Sequence, residues 1–235
     1  MIINSDISYT LIRKSFLRYR RIKITSDGSI IVTVNRTCGK KDIKKFIEEK
    51  KNWINKTVNR LMQKKQGNES LVIEKKGQLL HCGQWYRIKT TEADEAVKKI
   101  YINEADRIIS LSLNNENEGL KDKLDNWQKE VFKKTVEALA GRIGRANGIE
   151  YNCIIVRGQK SRWGCCSSKN NISLNWRLIK APAHILEYVV IHELCHIRER
   201  SHSGRFWSIV GSLYPGYKEA KKWLRDNGEL LYLEC

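Results

Sequence analysis

His192, Glu193, His196 and His202 fall within the segment HELCHIRERSH, and their types and spacing could do chemistry. On an α-helix His192 and His196 differ by about 400°, so their imidazoles stand about 40° apart on one face and can grip one metal ion. Glu193 is offset by one residue. It stands near that ion without pointing at it, where a base can take a proton from water rather than compete as a ligand. A catalytic zinc site has three protein ligands and leaves a fourth position open. His202 is the third candidate, but a continuous helix would carry it about 240° from His196. The helix must therefore break first. Ser201 and Ser203 are good N-cap residues and Gly204 adds backbone freedom, so a break over 200–203 would let His202 swing back. The alternative, a polar helix end with satisfied histidines, does not account for the third histidine or for the glutamate's place.

The remaining candidates are weaker. His81 and His184 lie outside the cluster, and histidines so placed are more often structural. Cys195 sits inside the motif on a helix expected to be buried, where a thiol without an activating base is a packing residue. Upstream, RGQKSRWGCCSSKNNISLNWRL is dense in Arg, Trp, Gly and Asn for a simple connection. Arg162, Trp163 and Gly164 there are candidate substrate-binding residues, since an extended peptide can pair with a strand edge beside a metal. Bracing of the metal helix is at least as good an account of Arg162 and Trp163. Asn175 and Trp176 suit a supporting role, although an Asn near the site could hold a ligand histidine in one tautomer. Arg162 and Tyr188 are the candidates for stabilising the oxyanion.

These residues need elements to hold them. Pro182 opens the helix that carries HELCH, as proline is tolerated in a first turn. YNCIIVRG and ISLNWRL read as strands joined through SRWGCCSSKNN, and short helices follow from about Ser203 and from about 215 to 225. Before them, Leu124, Trp127, Val131, Leu139 and Ile143 mark one face of a long helix ending near Asn147. The first hundred or so residues read as β-rich with one embedded helix. A hairpin turns at Asp27-Gly28, with Val32 and Val34 on one face; a helix over 40–65 carries Ile43, Phe46, Trp53, Ile54, Leu61 and Met62; two further hairpins turn at Gly83 and near 104–106. The polar stretch 114–119 reads as a linker, which places the domain boundary there. No internal repeat is evident. The expected fold is α+β, with a β-rich basic domain over 1–115 and a small helical and β-hairpin catalytic domain over 120–235.

Composition bounds the rest. The chain has 235 residues, 41% of them hydrophobic and 30% charged, which suits a globular protein. Its apolar runs are short for a bilayer span, and its start lacks the pattern of a signal peptide, so the expected location is cytoplasmic, with no membrane partner. Seven cysteines, two of them adjacent, do not suggest a disulfide framework. The net charge is +18, and residues 13–76 alone hold 19 basic and 6 acidic residues. Such an excess either binds polyanions such as nucleic acid or simply keeps a surface solvated.

RGQKSRWGCCSSKNNISLNWRLIKAP and YVVIHELCHIRERSHSGRFW together resemble the YgjP-like metallopeptidases, relatives of the SprT and WLM zinc-peptidase groups. LRYRRIKITSDGSIIVTV, KKNWI, HCGQWYRI and YPGYKEAKKWL extend the likeness to nearly the whole chain. The resemblance implies a zincin-like catalytic domain with one Zn²⁺, His192, His196 and His202 as its ligands and Glu193 as the catalytic glutamate. Two departures stand out. Cys165-Cys166 replaces the Ser-Cys common after RWG, and Glu199 stands where the metzincins have a helix-ending glycine. The leading expectation is a zinc peptidase acting on peptides or proteins. The alternatives are a metal-dependent nucleotide hydrolase acting on a phosphoanhydride, and a basic nucleic-acid-associated binding protein with structural zinc.

Overall fold

The computed structural model describes residues 2–4, 7–25, 27–92, 100–113 and 119–233. The chain divides into two compact units, Met1–Glu74 and Lys75–Cys235. The division thus follows the long first helix, whereas the sequence suggested 114–119. Residues 114–118 of that expected linker lie outside the described residues.

The first unit is a four-stranded sheet and one helix. Its strands β1 (Ile2–Asn4), β2 (Ile7–Lys14), β3 (Arg21–Ile24) and β4 (Ile30–Asn35) lie in the order β1-β2-β4-β3. β2 pairs parallel with β4, and the outer pairs are antiparallel. The expected hairpin at Asp27-Gly28 is the β3–β4 turn, and Val32 and Val34 face the core. Helix α1 (Lys40–Glu74) covers this core with Ile43, Ile47 and Ile54. It runs nine residues beyond the expected end at 65. Trp53 and Met62, expected on the buried face, are exposed. The i, i+4 and i+11 run from Ile43 through Ile47 to Ile54 sets the inward stripe, and Trp53 falls one residue, about 100°, off it.

The second unit opens with the same topology. Strands β5 (Gln78–His81), β6 (Gln84–Glu92), β7 (Tyr101–Asn103) and β8 (Ile108–Leu113) lie in the order β5-β6-β8-β7, with β6 and β8 parallel and the outer pairs antiparallel. A long helix, α2 (Leu120–Asn147), follows them. Residues 1–74 and 75–147 therefore repeat one four-strand-plus-helix plan that the sequence had not revealed. RIKITSDGSII and KIYINEADRII carry the trace of it. Five residues separate β3 from β4 but four separate β7 from β8, so the buried set moves by one place, from Val32 and Val34 to Ile109 and Leu111.

The rest of the second unit is built on α2. Its Leu124 packs with Leu79, Tyr86, Ile109 and Leu111 of the β5–β8 sheet. The stripe then continues through Gln128, Phe132, Val136, Ala140 and Ile143 under a three-stranded sheet and the helix of the histidines. That sheet has the order β10-β11-β9, from β9 (Cys153–Arg157), β10 (Gly164–Cys166) and β11 (Asn171–Asn175). The last three residues of ISLNWRL are not strand. A 3₁₀ helix over Trp176–Lys180 begins there, capped by the Asn175 side chain, which accepts from the Arg177 N–H at 3.2 Å. The Cys82-Gly83 turn of the β5–β6 hairpin donates two backbone N–H groups to Ile179 and Lys180 of this 3₁₀ helix. Gly83 is needed there twice over: its φ is +79°, and an added Cβ would meet Pro182 at 2.9 Å. Helices α3 (Ala183–Arg198), α4 (Gly204–Leu213) and α5 (Tyr217–Asn227) complete the unit. No helix among the described residues is long and apolar enough to cross a membrane.

Candidate metal centre

α3 is apolar for most of its length. Ile185, Leu186, Val189, Val190, Ile191, Leu194 and Cys195 are buried, so the helix is locked in rotation by its packing. His192 and His196 leave this helix on one side, their ring centroids 5.0 Å apart. The helix ends at Arg198, and Glu199 turns extended, with φ −144° and ψ 110°. Its carboxylate then accepts from the N–H and hydroxyl of Ser201, at 3.2 and 2.8 Å. Ser203 starts the next helix by accepting the Phe206 N–H at 3.3 Å. This break returns His202 to the cluster, with Nε2 3.0 Å from Nε2 of His192.

The donor atoms of the three histidines lie within 4.8 Å of one another. Two imidazole nitrogens at 3.0 Å either share a proton or turn their lone pairs on one cation. Both His192 and His196 are depressed in pKa, His192 to about 3, chiefly by burial and then by neighbouring charge. The neutral, lone-pair form is therefore the one the site holds, as a metal ligand must be. His196 Nδ1 lies 3.1 Å from the backbone carbonyl of Glu199, which selects the tautomer with Nε2 as the lone-pair nitrogen. The donor set fits a borderline metal such as zinc.

Glu193 is buried beside the triad, and its Oε2 has no partner among the described residues. Burial pushes its carboxyl up to about 8, opposed by the charge of Arg162. β10 explains how it is accommodated. A Cβ on Gly164 would lie 2.5 Å from Oε1 of Glu193, so the glycine of RWG leaves the space the carboxylate fills. Gly164, expected to bind substrate, lies against the glutamate. Trp163 lies against Tyr232 at 5.4 Å and against Gly228, and accepts the Asn175 N–H on its carbonyl, which are bracing contacts. Arg162 is exposed and near enough for its charge to reach Glu193. Asn175 is fully buried and donates to the carbonyl of Gln159, shaping the RWG approach rather than holding a histidine. Tyr188 lies 5.8 Å from His192, ring to ring; burial keeps its phenol protonated, with a pKa of about 12.

Two residues had no signal of their own in the sequence. Phe206 is fully buried, with its ring 4.9, 4.4 and 4.8 Å from those of His192, His196 and His202. One apolar side chain thus backs all three imidazoles; its place just after an N-cap was the available hint. Arg200 donates to the Ser167 carbonyl at 2.6 Å and to Cys166 Sγ at 3.1 Å, and also bonds Asn170. It ties the helix break to the β10–β11 turn. His81 and His184 stay outside the cluster: His81 is buried against Trp127 at 4.9 Å, and His184 accepts from Tyr214 on its carbonyl. Cys195 is buried in the core with its thiol raised to about 11 by burial, and so is inert packing.

The family described as YgjP-like, metallopeptidase domain, matches residues 18–227. A solved structure similar to part of the chain is the metallopeptidase zymogen of Pyrococcus abyssi abylysin, at 24% identity and a TM-score of 0.37, over 43% of this chain and 99% of that one. No curated protein matches the chain.

Proposed function

The chain belongs to the YgjP-like metallopeptidase family, and on that premise we propose that it cleaves peptide bonds with one zinc ion held by His192, His196 and His202 and with Glu193 as general base. The observation that carries this reading is the buried carboxylate of Glu193, with an unpartnered oxygen, beside three converging imidazoles. A purely structural zinc would not need that glutamate. When bound, zinc supplies Lewis acidity that lowers the pKa of a water and polarises a carbonyl.

The chain's own residues do the rest. Glu193 Oε2 takes the proton of the attacking water and passes it to the leaving amine. Gly164 leaves room for that carboxylate, and Phe206 and the Glu199 carbonyl hold the imidazoles in place. β10 is an edge strand of its sheet, so an extended peptide can add to it by main-chain hydrogen bonds, next to Glu193. Arg162 and Tyr188 are the groups available to stabilise charge on the carbonyl oxygen. The excess of cationic residues in the first unit is available to hold nucleic acid or another polyanion, and cysteines that form no disulfide among the described residues suit work in the cytoplasm.

The test pairs two variants with wild type. Glu193→Gln keeps its zinc by metal analysis while peptide turnover falls about 10²- to 10⁴-fold; full activity in that variant overturns the mechanism. His202→Ala loses metal on dialysis. Assays against unfolded peptides and nucleoside triphosphates, each with a chelator control, separate a peptidase from a nucleotide hydrolase.

A further inference from the structure

Beside the metal centre lies an open cavity of about 590 Å³, lined by Trp207, Tyr217, Lys218, Lys221, Lys222 and Arg225. This is within the range of about 300 to 1,000 Å³ usual for ligand pockets. Its position follows from the helix break. Trp207 is the residue after Phe206 in the first turn of α4, and its ring lies 5.6 Å from that of His202 and 5.7 Å from that of His192. Tyr217 stacks on the same indole at 5.3 Å. The floor is thus aromatic and runs directly from the histidines.

The wall is cationic. Lys218, Lys221, Lys222 and Arg225 recur at three- and four-residue spacing on α5, so they share one helix face. Like charges so placed repel one another, and a helix gains nothing by collecting them. Lys221 holds its ammonium 4.4 Å from the centre of the Trp207 ring, fixing one of these charges over the aromatic floor. Arg225 also pairs with Asp226, 3.1 Å away, and stands at the far end of the face. A merely solvated charge face would have no reason to share a cavity with two stacked aromatic rings, one of which lies against His192 and His202.

We propose that this cavity is the subsite that selects acidic side chains in the peptide substrate, so that the enzyme prefers Asp or Glu beside the bond it cleaves. The proposal rests on the peptidase reading above and names its substrate class. Lys221 and Lys222 supply the charge, and Trp207 and Tyr217 pack the methylene groups and backbone of the bound residue. Exposed charge pairs are worth roughly two- to fivefold each, so engagement of several gives a preference of about tenfold. That preference weakens as salt screens it.

The test uses the full chain loaded with zinc and matched peptides that differ only in Asp and Glu against Asn and Gln. The expected ratio of kcat/KM, acidic over amide, is about tenfold in wild type and falls to one or below in Lys221→Glu/Lys222→Glu. Lys133→Glu/Lys134→Glu, an equal charge reversal on α2, keeps the wild-type ratio. Lys221→Gln/Lys222→Gln gives an intermediate ratio, and metal content with thermal melting checks that each variant is folded. A wild-type ratio near one, with both peptides cleaved, overturns the subsite and leaves the peptidase standing. A tenfold ratio that survives in Lys221→Glu/Lys222→Glu does the same. If the loaded enzyme cleaves no peptide, the peptidase reading falls and the subsite falls with it. Hydrolysis of a nucleoside triphosphate instead, lost in Lys221→Glu/Lys222→Glu, would assign the cavity to phosphate.

Discussion

Residues 1–74 and 75–147 share one plan, four strands in the same order followed by a long helix, yet they have been put to different uses. In the first, α1 closes a core of its own sheet with Ile43, Ile47 and Ile54 and leaves its other faces to solvent. In the second, only the start of α2 serves the sheet. From Gln128 onward its buried stripe belongs to the core that carries the histidines, and the Gln128 side chain donates to the Leu80 carbonyl at 2.9 Å, where the two packings meet. A helix with one short apolar stripe ends a unit; a helix whose stripe continues past its sheet becomes the floor of the next structure. The three-stranded sheet and α3 could not bury their own apolar faces without it.

This difference can be broken experimentally, most strongly in the core. Phe132→Ala should cost about 3–5 kcal/mol and carry metal affinity down with stability, because that ring lies under the metal fold. Ile54→Ala should cost about 2–5 kcal/mol in the first unit while zinc affinity stays put. Denaturation followed by circular dichroism and by zinc release would show it, and equal loss of zinc in both variants would erase the distinction.

A smaller effect comes from pH in the metal-free protein. Glu193 is raised from 4.5 to about 8 by burial, so its contribution to stability is complete below pH 4.5 and is lost as pH rises through 8. His192 acts in the opposite sense: its pKa is depressed from 6.5 to about 3, and its contribution is lost as pH falls through that range. Above pH 6.5 the unfolded histidine loses its remaining protonation by about pH 8, a smaller and opposite change, so the net slope follows the glutamate. Melting of the metal-free chain should show a loss on the order of 2 kcal/mol between pH 6.5 and 8 in the second unit alone. Glu193→Gln should remove it, and a slope that survives the substitution would move its origin elsewhere.

The least of the effects concerns the helix break. Ser203→Ala deletes the cap of α4 and should cost about 1 kcal/mol in the second unit. Zinc should be held more weakly through His202, measurable by competition with a chelator. The first unit should not register the change.

Much of the site was legible because it is local. Helical periodicity alone puts His192 and His196 on one face, and the requirement that the chain break before His202 follows from the same angle. The caps that make the break, Glu199 with Ser201 and Ser203 with Phe206, are side chains bonding to backbone within three residues. Hairpins at Asp27-Gly28 and Cys82-Gly83 were legible for the same reason. Less was visible where burial decides. Trp53 and Met62 look as apolar as Ile54, and a large side chain in a helix does not announce whether a sheet will cover it. WRL after ISLN reads as more strand until the Asn175 side chain caps a 3₁₀ turn.

The sequence by itself determined the family, the three histidines and the glutamate as a set, and the need for a broken helix, since each depends on residues near one another in the chain. Only the tertiary structure decided that Gly164 opens the space for Glu193, that Phe206 backs all three imidazoles, that Arg200 ties the break to β10–β11, and that one repeated plan underlies residues 1–74 and 75–147. The physical reason is common to all of them. Steric room, burial and strand pairing are properties of groups far apart in the chain, and their value is set when the core closes around them.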